Sequence, residues 1–335
     1  MTSSSFFPIL VLLTVSLAFN NGGCRARQLT PRVEGGLPQV KSENSLGNMT
    51  RNSTRTTSFA RPILPGPPNT HPSVVAGNEV YHWAVMINPT SDYYGAKATI
   101  SVYDVPGVET KQASDAIIWV YDSPPDDSSN AISAGWHVCP ELYGDAQAHL
   151  FIQWTIDNYQ YTGCYNLECP GFVVKSNSPI IPGDALTSVS NFGGEQKYIT
   201  LSIHKEPEGD WWLHYGEGTE VTTAVGYWPR SLFGNLANKA NFIEWGGTVI
   251  YPKGTLGPAM GSGHFSGEGA NRAASFKNLQ FMDESNDFKV VDSRFGASAY
   301  SSSKGCYDVT VVPETSADDG FQFYYGGPPG CSDEH

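Results

Sequence analysis

From about Val75 onward, apolar and polar residues alternate one for one in short runs, the period of a strand half-buried against a core. In ATISVYDV, Ile100 and Val102 alternate with Thr99, Ser101 and Tyr103. In HLFIQWTI, Leu150, Ile152, Trp154 and Ile156 share one face, and in KYITLSIHKE so do Ile199, Leu201 and Ile203. The turn-forming strings PPDDSSN, EPEGD, NFGGEQ and PKGTLGP separate such runs. Between Pro229 and Ala240, Leu232, Phe233 and Leu236 instead stand at helical spacing, which predicts one short helix near 229–240. The fold class is therefore all-β over residues 75–335, a size that suits a sandwich or a barrel.

The first 70 residues follow neither period. Phe6 to Phe19 is almost wholly apolar and is closed by the small-residue stretch Asn20 to Gly23. That pattern reads as a signal peptide over 1–23, although Lys and Arg are missing from its first residues. The run is shorter than the roughly 20 residues a membrane helix needs, and no later stretch is long enough to span. The expectation is a secreted, extracellular protein with no membrane association once the signal is removed. Residues 24–70, rich in Ser, Thr, Asn, Pro and Arg and ending in RPILPGPPNTHP, read as a disordered basic arm or short pro-segment. Asn48-Met-Thr and Asn52-Ser-Thr within it are glycosylation sequons.

Charge separates the two parts. The arm carries 7 Lys and Arg against 2 Asp and Glu, or +5; residues 71–335 carry 13 against 31, or −18. The arm can lie against the acidic domain at neutral pH, or serve as a glycosylated linker without docking. A domain at −18 repels phosphate, which sets nucleic acid aside as a partner.

Six cysteines in an exported chain imply disulfides. Cys164 and Cys169 lie together in GCYNLEC, and Cys306 and Cys331 bracket the C-terminal segment. Cys24 and Cys139 remain, with Cys139 either paired or a lone buried thiol. No His or second Cys pair stands at zinc-finger spacing, so neither a metal nor a cofactor is expected. A Gly-x-Ser-x-Gly elbow and a His-Glu-x-x-His helix are also missing from the sequence. Aromatic residues are dense in WWLHYG, VGYWP and FQFYYGG, as core packing or as an open groove that grips an extended peptide or a sugar. The groove candidates are Trp136, Tyr143, Trp154, Tyr227, Trp228, Trp245 and His264.

In order along the chain stand AGWHVCPELYGD, QWTIDNYQYTGCYNLECPGFV, WWLHYG, VGYWPRSLF, IEWGGTV, MGSGHF and FYYGGPPG. This collinear set, from Glu79 to Cys331, resembles the plant neprosin domain. The resemblance implies an antiparallel β-sandwich whose concave groove holds two glutamates. It also implies a secreted glutamic endopeptidase that cuts after proline under acidic conditions and is made as a precursor. Its partners would be proline-containing peptides or proteins, or cell-wall material. The family's two disulfides fall on Cys164 with Cys169 and on Cys306 with Cys331.

The chemistry needs two carboxyl groups in different protonation states. The ionised one takes a proton from the attacking water, and the protonated one donates to the carbonyl oxygen or the leaving amine. Here the chain departs from the family. The first glutamate precedes Ala-Gly-Trp, and that position is Ser133, 31 residues before Cys164. The second belongs to Glu-Trp-Gly-Gly-Glu, which reads Glu244-Trp-Gly-Gly-Thr248, so either Glu244 or Thr248 is its match. Residues four apart on a strand share a face, and orientation does not choose between them. A serine cannot accept a proton from water near pH 4, and losing a general acid or base costs about 10²- to 10⁴-fold in rate. Two functions are therefore expected as alternatives: a peptidase of reduced activity, or a silent groove that binds proline-rich peptides or wall glycans.

Overall fold

Alternation becomes strand after strand in the computed structural model, which describes residues 74–76, 78–124, 128–159, 161–291, 296–312 and 319–332. The signal segment, the basic arm and the sequons at Asn48 and Asn52 lie outside the described residues. The first half of the domain forms β1 (Val74–Ala76), β2 (Glu79–Ile87), β3 (Gly95–Ser101), β4 (Ala113–Asp122), β5 (Asn130–Val138) and β6 (His149–Thr155). Next come β7 (Cys164–Tyr165), β8 (Val173–Val174), β9 (Tyr198–Lys205), β10 (Trp211–Glu217) and β11 (Thr223–Trp228). The last are β12 (Phe242–Pro252), β13 (Ala274–Met282), β14 (Phe288–Val290), β15 (Ser298–Ser301), β16 (Asp308–Val311) and β17 (Phe323–Gly326).

These strands make two antiparallel sheets. The eight-stranded sheet runs β1-β2-β12-β4-β5-β6-β7, with β15 also on β2. The nine-stranded sheet runs β16-β17-β13-β3-β9-β10-β11-β8, with β14 also on β13. Inward-facing residues of both form one core, in which Ile100, Leu150, Ile152, Leu201 and Ile203 are fully buried on the faces their alternation predicts. Trp136 crosses the layer, its indole N–H donating to the carbonyl of Ser101 at 2.9 Å. The sandwich that the neprosin resemblance implies is thus present.

Strands β2, β4, β5, β6 and β12 of the eight-stranded sheet are not half-buried, as simple alternation predicts, but buried on both faces. Tyr81, Trp83, Ile117, Trp119, Tyr121, Phe151 and Tyr165 form a second apolar cluster on its outer face. No helix among the described residues is long and apolar enough to cross a membrane.

The helix expected near 229–240 is not formed. That stretch holds two single turns of 3₁₀ helix, Arg230–Leu232 and Asn235–Ala237. Gly234 breaks them apart, and the buried Asn130 side chain captures its N–H at 2.9 Å and that of Leu236 at 3.4 Å. Those donors are then unavailable to a helical ladder. Asn130→Ala would leave both N–H groups and the carbonyl of Ile156 unsatisfied, since Asn130 Nδ2 donates to that oxygen at 2.9 Å. Urea unfolding is expected to show a loss of about 2 kcal/mol. The α-helix that does form is α1 (Pro140–Tyr143), started by a proline in its first turn and stopped by Gly144 at φ 85°.

Disulfides join Cys164 to Cys169 and Cys306 to Cys331. Cys139 is disulfide-bonded as well, to a partner outside the described residues. The alternative of a lone buried thiol is therefore set aside.

Candidate active site on the outer face of the eight-stranded sheet

Residues that face one another across antiparallel strands share a face, so pairing converts sequence positions into rows. One row reads Ile87, Glu244, Trp119, Ser133, Gln153, Tyr165 across β2, β12, β4, β5, β6 and β7. Two residues further along each strand come Val85, Gly246, Ile117, Gly135 and Phe151. The next row is Trp83, Thr248, Asp115, His137 and His149.

Glu244 therefore shares a row with Ser133, one strand intervening, at a backbone separation of about 10 Å. Thr248 lies about 13 Å further along β12, paired with Asp115. The middle row explains two of the glycines in the sequence motifs. A Cβ on Gly135 would stand 1.9 Å from the carbonyl oxygen of Ala116, and one on Gly246 would stand 2.3 Å from that of Ala84. Strand backbones approach too closely there for any side chain.

Glu244 is 3 % exposed, and the Tyr121 hydroxyl donates to its Oε1 at 2.8 Å. Burial pushes the carboxyl up to about 8, with the Tyr121 hydrogen bond pulling the other way. The group is thus a neutral acid at acid and neutral pH. Tyr121→Phe removes the one bond that favours the ionised form. It is expected to cost about 1 kcal/mol in stability and to move the Glu244 titration higher, as followed by carboxyl ¹³C NMR.

Ser133 and Gln153 are both buried, and Ser133 Oγ and Gln153 Oε1 have no hydrogen-bond partner among the described residues. Two unsatisfied polar atoms side by side in the row of Glu244 mark a place built to meet a polar group. Asp115 is a second buried carboxyl, pushed well above the usual carboxylate range by burial and accepting the Thr248 N–H at 3.0 Å. Burial also lowers His137 to about 3.

Of the seven groove candidates, only Tyr143 lies at this face, stacked on His149 with ring centroids 3.9 Å apart. Trp136, Trp154, Trp228 and Trp245 are in the core between the sheets. Parity is the reason: Trp136 is three residues from Ser133, and Trp154 and Trp245 adjoin Gln153 and Glu244, so each points to the opposite side. Tyr227 is on the nine-stranded sheet against Trp212, and His264 is in a loop, stacked on Phe192 and bonded to Glu268 at 2.9 Å. The aromatic residues beside Glu244 are Trp119 and Tyr121, from the string IIWVYD. Gln153, Asp115, Trp119 and Tyr121 were not among the sequence-based candidates; the signal for them is strand parity with Ser133 and Glu244.

The profile of the family described as Neprosin matches residues 110–328. Among solved structures, a crystal structure of Scytalido-glutamic peptidase with a peptide-based transition state analog is 12% identical, covering 74% of this chain and 98% of that chain at a TM-score of 0.40. A structure of SCP-B, a member of the Eqolisin family of peptidases, with the tripeptide Ala-Ile-His is 11% identical over 73% of this chain and 96% of that one, at a TM-score of 0.36.

Proposed function

Because the chain belongs to the neprosin family, we propose that it is a secreted, peptidase-like protein that receives proline-containing peptides on the outer face of its eight-stranded sheet and cleaves them slowly under acid conditions. Export is supported by three disulfide-bonded sites, at Cys139, Cys164 with Cys169, and Cys306 with Cys331. The observation that carries the reading is the row of Glu244, Trp119, Ser133 and Gln153.

Glu244 enters the reaction protonated and donates to the carbonyl oxygen or the leaving amine. Trp119, on the floor between Glu244 and Ser133, offers a face to a proline ring. Gln153 and Ser133 hold water or the peptide by hydrogen bonds but cannot take the proton that water gives up on attack. The acid is present and the base is missing. Binding therefore outlasts cleavage, which gives weight to the second reading, a silent binder of proline-rich peptides.

Binding is tested by titrating a proline-containing peptide at pH 4, following tryptophan fluorescence, with mass spectrometry reporting whether the peptide stays intact. Saturable binding is expected, weakened about tenfold by Trp119→Ala. Absence of binding between pH 3 and 5, or unchanged affinity in Trp119→Ala, would sink the assignment of this face.

A further inference from the structure

The nine-stranded sheet carries a group of ligands that sequence spacing does not announce. β9 and β10 form a hairpin in which His204 pairs with Trp212 and Ser202 with His214. The turn closes with Glu206 N–H donating to Asp210 at 3.0 Å and Gly209 at φ 97°. Ile203 and Leu213 point into the core, so His204 and His214 project from the outer face of the sheet on neighbouring strands. Their rings lie 4.8 Å apart and 16° from parallel, and Glu206 Oε1 is 3.5 Å from His204 Nε2.

We propose that His204, Glu206 and His214 form a binding site for a divalent transition-metal ion of the zinc class. One ligand atom from each lies within 4.8 Å of the others. Around a tetrahedral ion with bonds of about 2.0–2.2 Å, donors stand about 3.4 Å apart, so small rotations of side chains on a fixed hairpin close the set. Two imidazoles and a carboxylate suit zinc, and copper or nickel after it, and they leave at least one position open.

The surroundings resemble those of a ligating histidine. His204 Nδ1 lies 3.3 Å from Ser202 Oγ, which fixes the ring and leaves Nε2 directed at Glu206. His214 Nδ1 is buried without a hydrogen-bond partner among the described residues. Trp212 packs beside His214, and Phe288 meets His204 edge-on, so the site has an apolar wall that limits competition from water. Lys175 adds positive charge near His214, which weakens the site without filling it. It lies on the other sheet from Glu244, and no step of the proposed cleavage uses it.

The test is calorimetric titration of the secreted, chelator-treated protein with Zn²⁺ at pH 7, paired with electron paramagnetic resonance of the Cu²⁺ form. One ion per chain is expected, with two nitrogen donors in the copper spectrum. His214→Ala is expected to weaken binding about 100-fold, and Glu206→Gln about tenfold, with thermal melts verifying that each variant folds. If the wild type takes up neither ion, or if a folded His204→Ala, His214→Ala double variant binds like the wild type, the site is refuted.

Discussion

Replacing Ser133 by glutamate is expected to raise hydrolysis of a proline-containing peptide at pH 4 by about 10²- to 10⁴-fold over the wild type. Position 133 is in the same row as Glu244 with one strand between them, so a side chain two bonds longer reaches toward the space over Trp119 that Glu244 also faces. Ser133 Oγ has no hydrogen-bond partner among the described residues, so no bond to them is sacrificed. The introduced carboxyl has the polar Gln153 side chain beside it to hydrogen-bond its ionised form, while burial keeps Glu244 protonated. The two groups then differ in protonation, as attack by water and expulsion of the amine require. Ser133→Gln supplies length without a base and is expected to stay near the wild-type rate. Adding Glu244→Gln to Ser133→Glu is expected to return the rate to the wild-type level or below. A folded Ser133→Glu protein that cuts no faster would show that this row is not the reacting centre.

Much of this arrangement was legible in the sequence, and the exceptions share a cause. Alternation placed Ile100, Leu150, Ile152 and Leu201 correctly because a strand's side-chain period is a local property. The motif order gave the sandwich and singled out positions 133, 244 and 248 as candidates. Conspicuous tryptophans misled, because aromatic density does not say which side of a sheet a ring occupies. Counting parity along β5 from Ser133 and along β12 from Glu244 would have moved Trp136 and Trp245 into the core, whereas Gln153 and Trp119 join the row only through the register of their strands. The helix near 229–240 failed for a nonlocal reason, the capture of its N–H groups by Asn130, about 100 residues earlier in the chain. His204 and His214 likewise become neighbours only through the hairpin register. Sequence also left Glu244 and Thr248 equivalent, since both face the same way. Pairing separates them, because it sets Glu244 level with Ser133 and Thr248 level with His137.

Glu244 also has a signature in stability that does not depend on any substrate. Its carboxyl is raised from an ordinary 4.5 to about 8 in the folded chain, so the folded state holds a proton that the unfolded state releases. Stability from this group is fully present below pH 4.5 and is lost as pH rises through the folded value near 8. Between pH 5 and pH 7 the loss amounts to about 2–3 kcal/mol. Glu244→Gln keeps an acceptor for Tyr121 but cannot ionise. The stability of the variant relative to the wild type is therefore expected to climb by about 2–3 kcal/mol over that interval, which in a domain of this size is about 5–10 °C in Tm. Most carboxylates stabilise a fold as pH rises, so a difference of this sign isolates a buried, protonated group. Asp115, raised for the same reason, contributes in the same direction to both proteins and cancels from the comparison. A flat difference between pH 5 and pH 7 would mean that Glu244 ionises like an exposed glutamate. It would then not hold the proton that cleavage requires it to give, and the acid range of any activity would have to come from another group on this face.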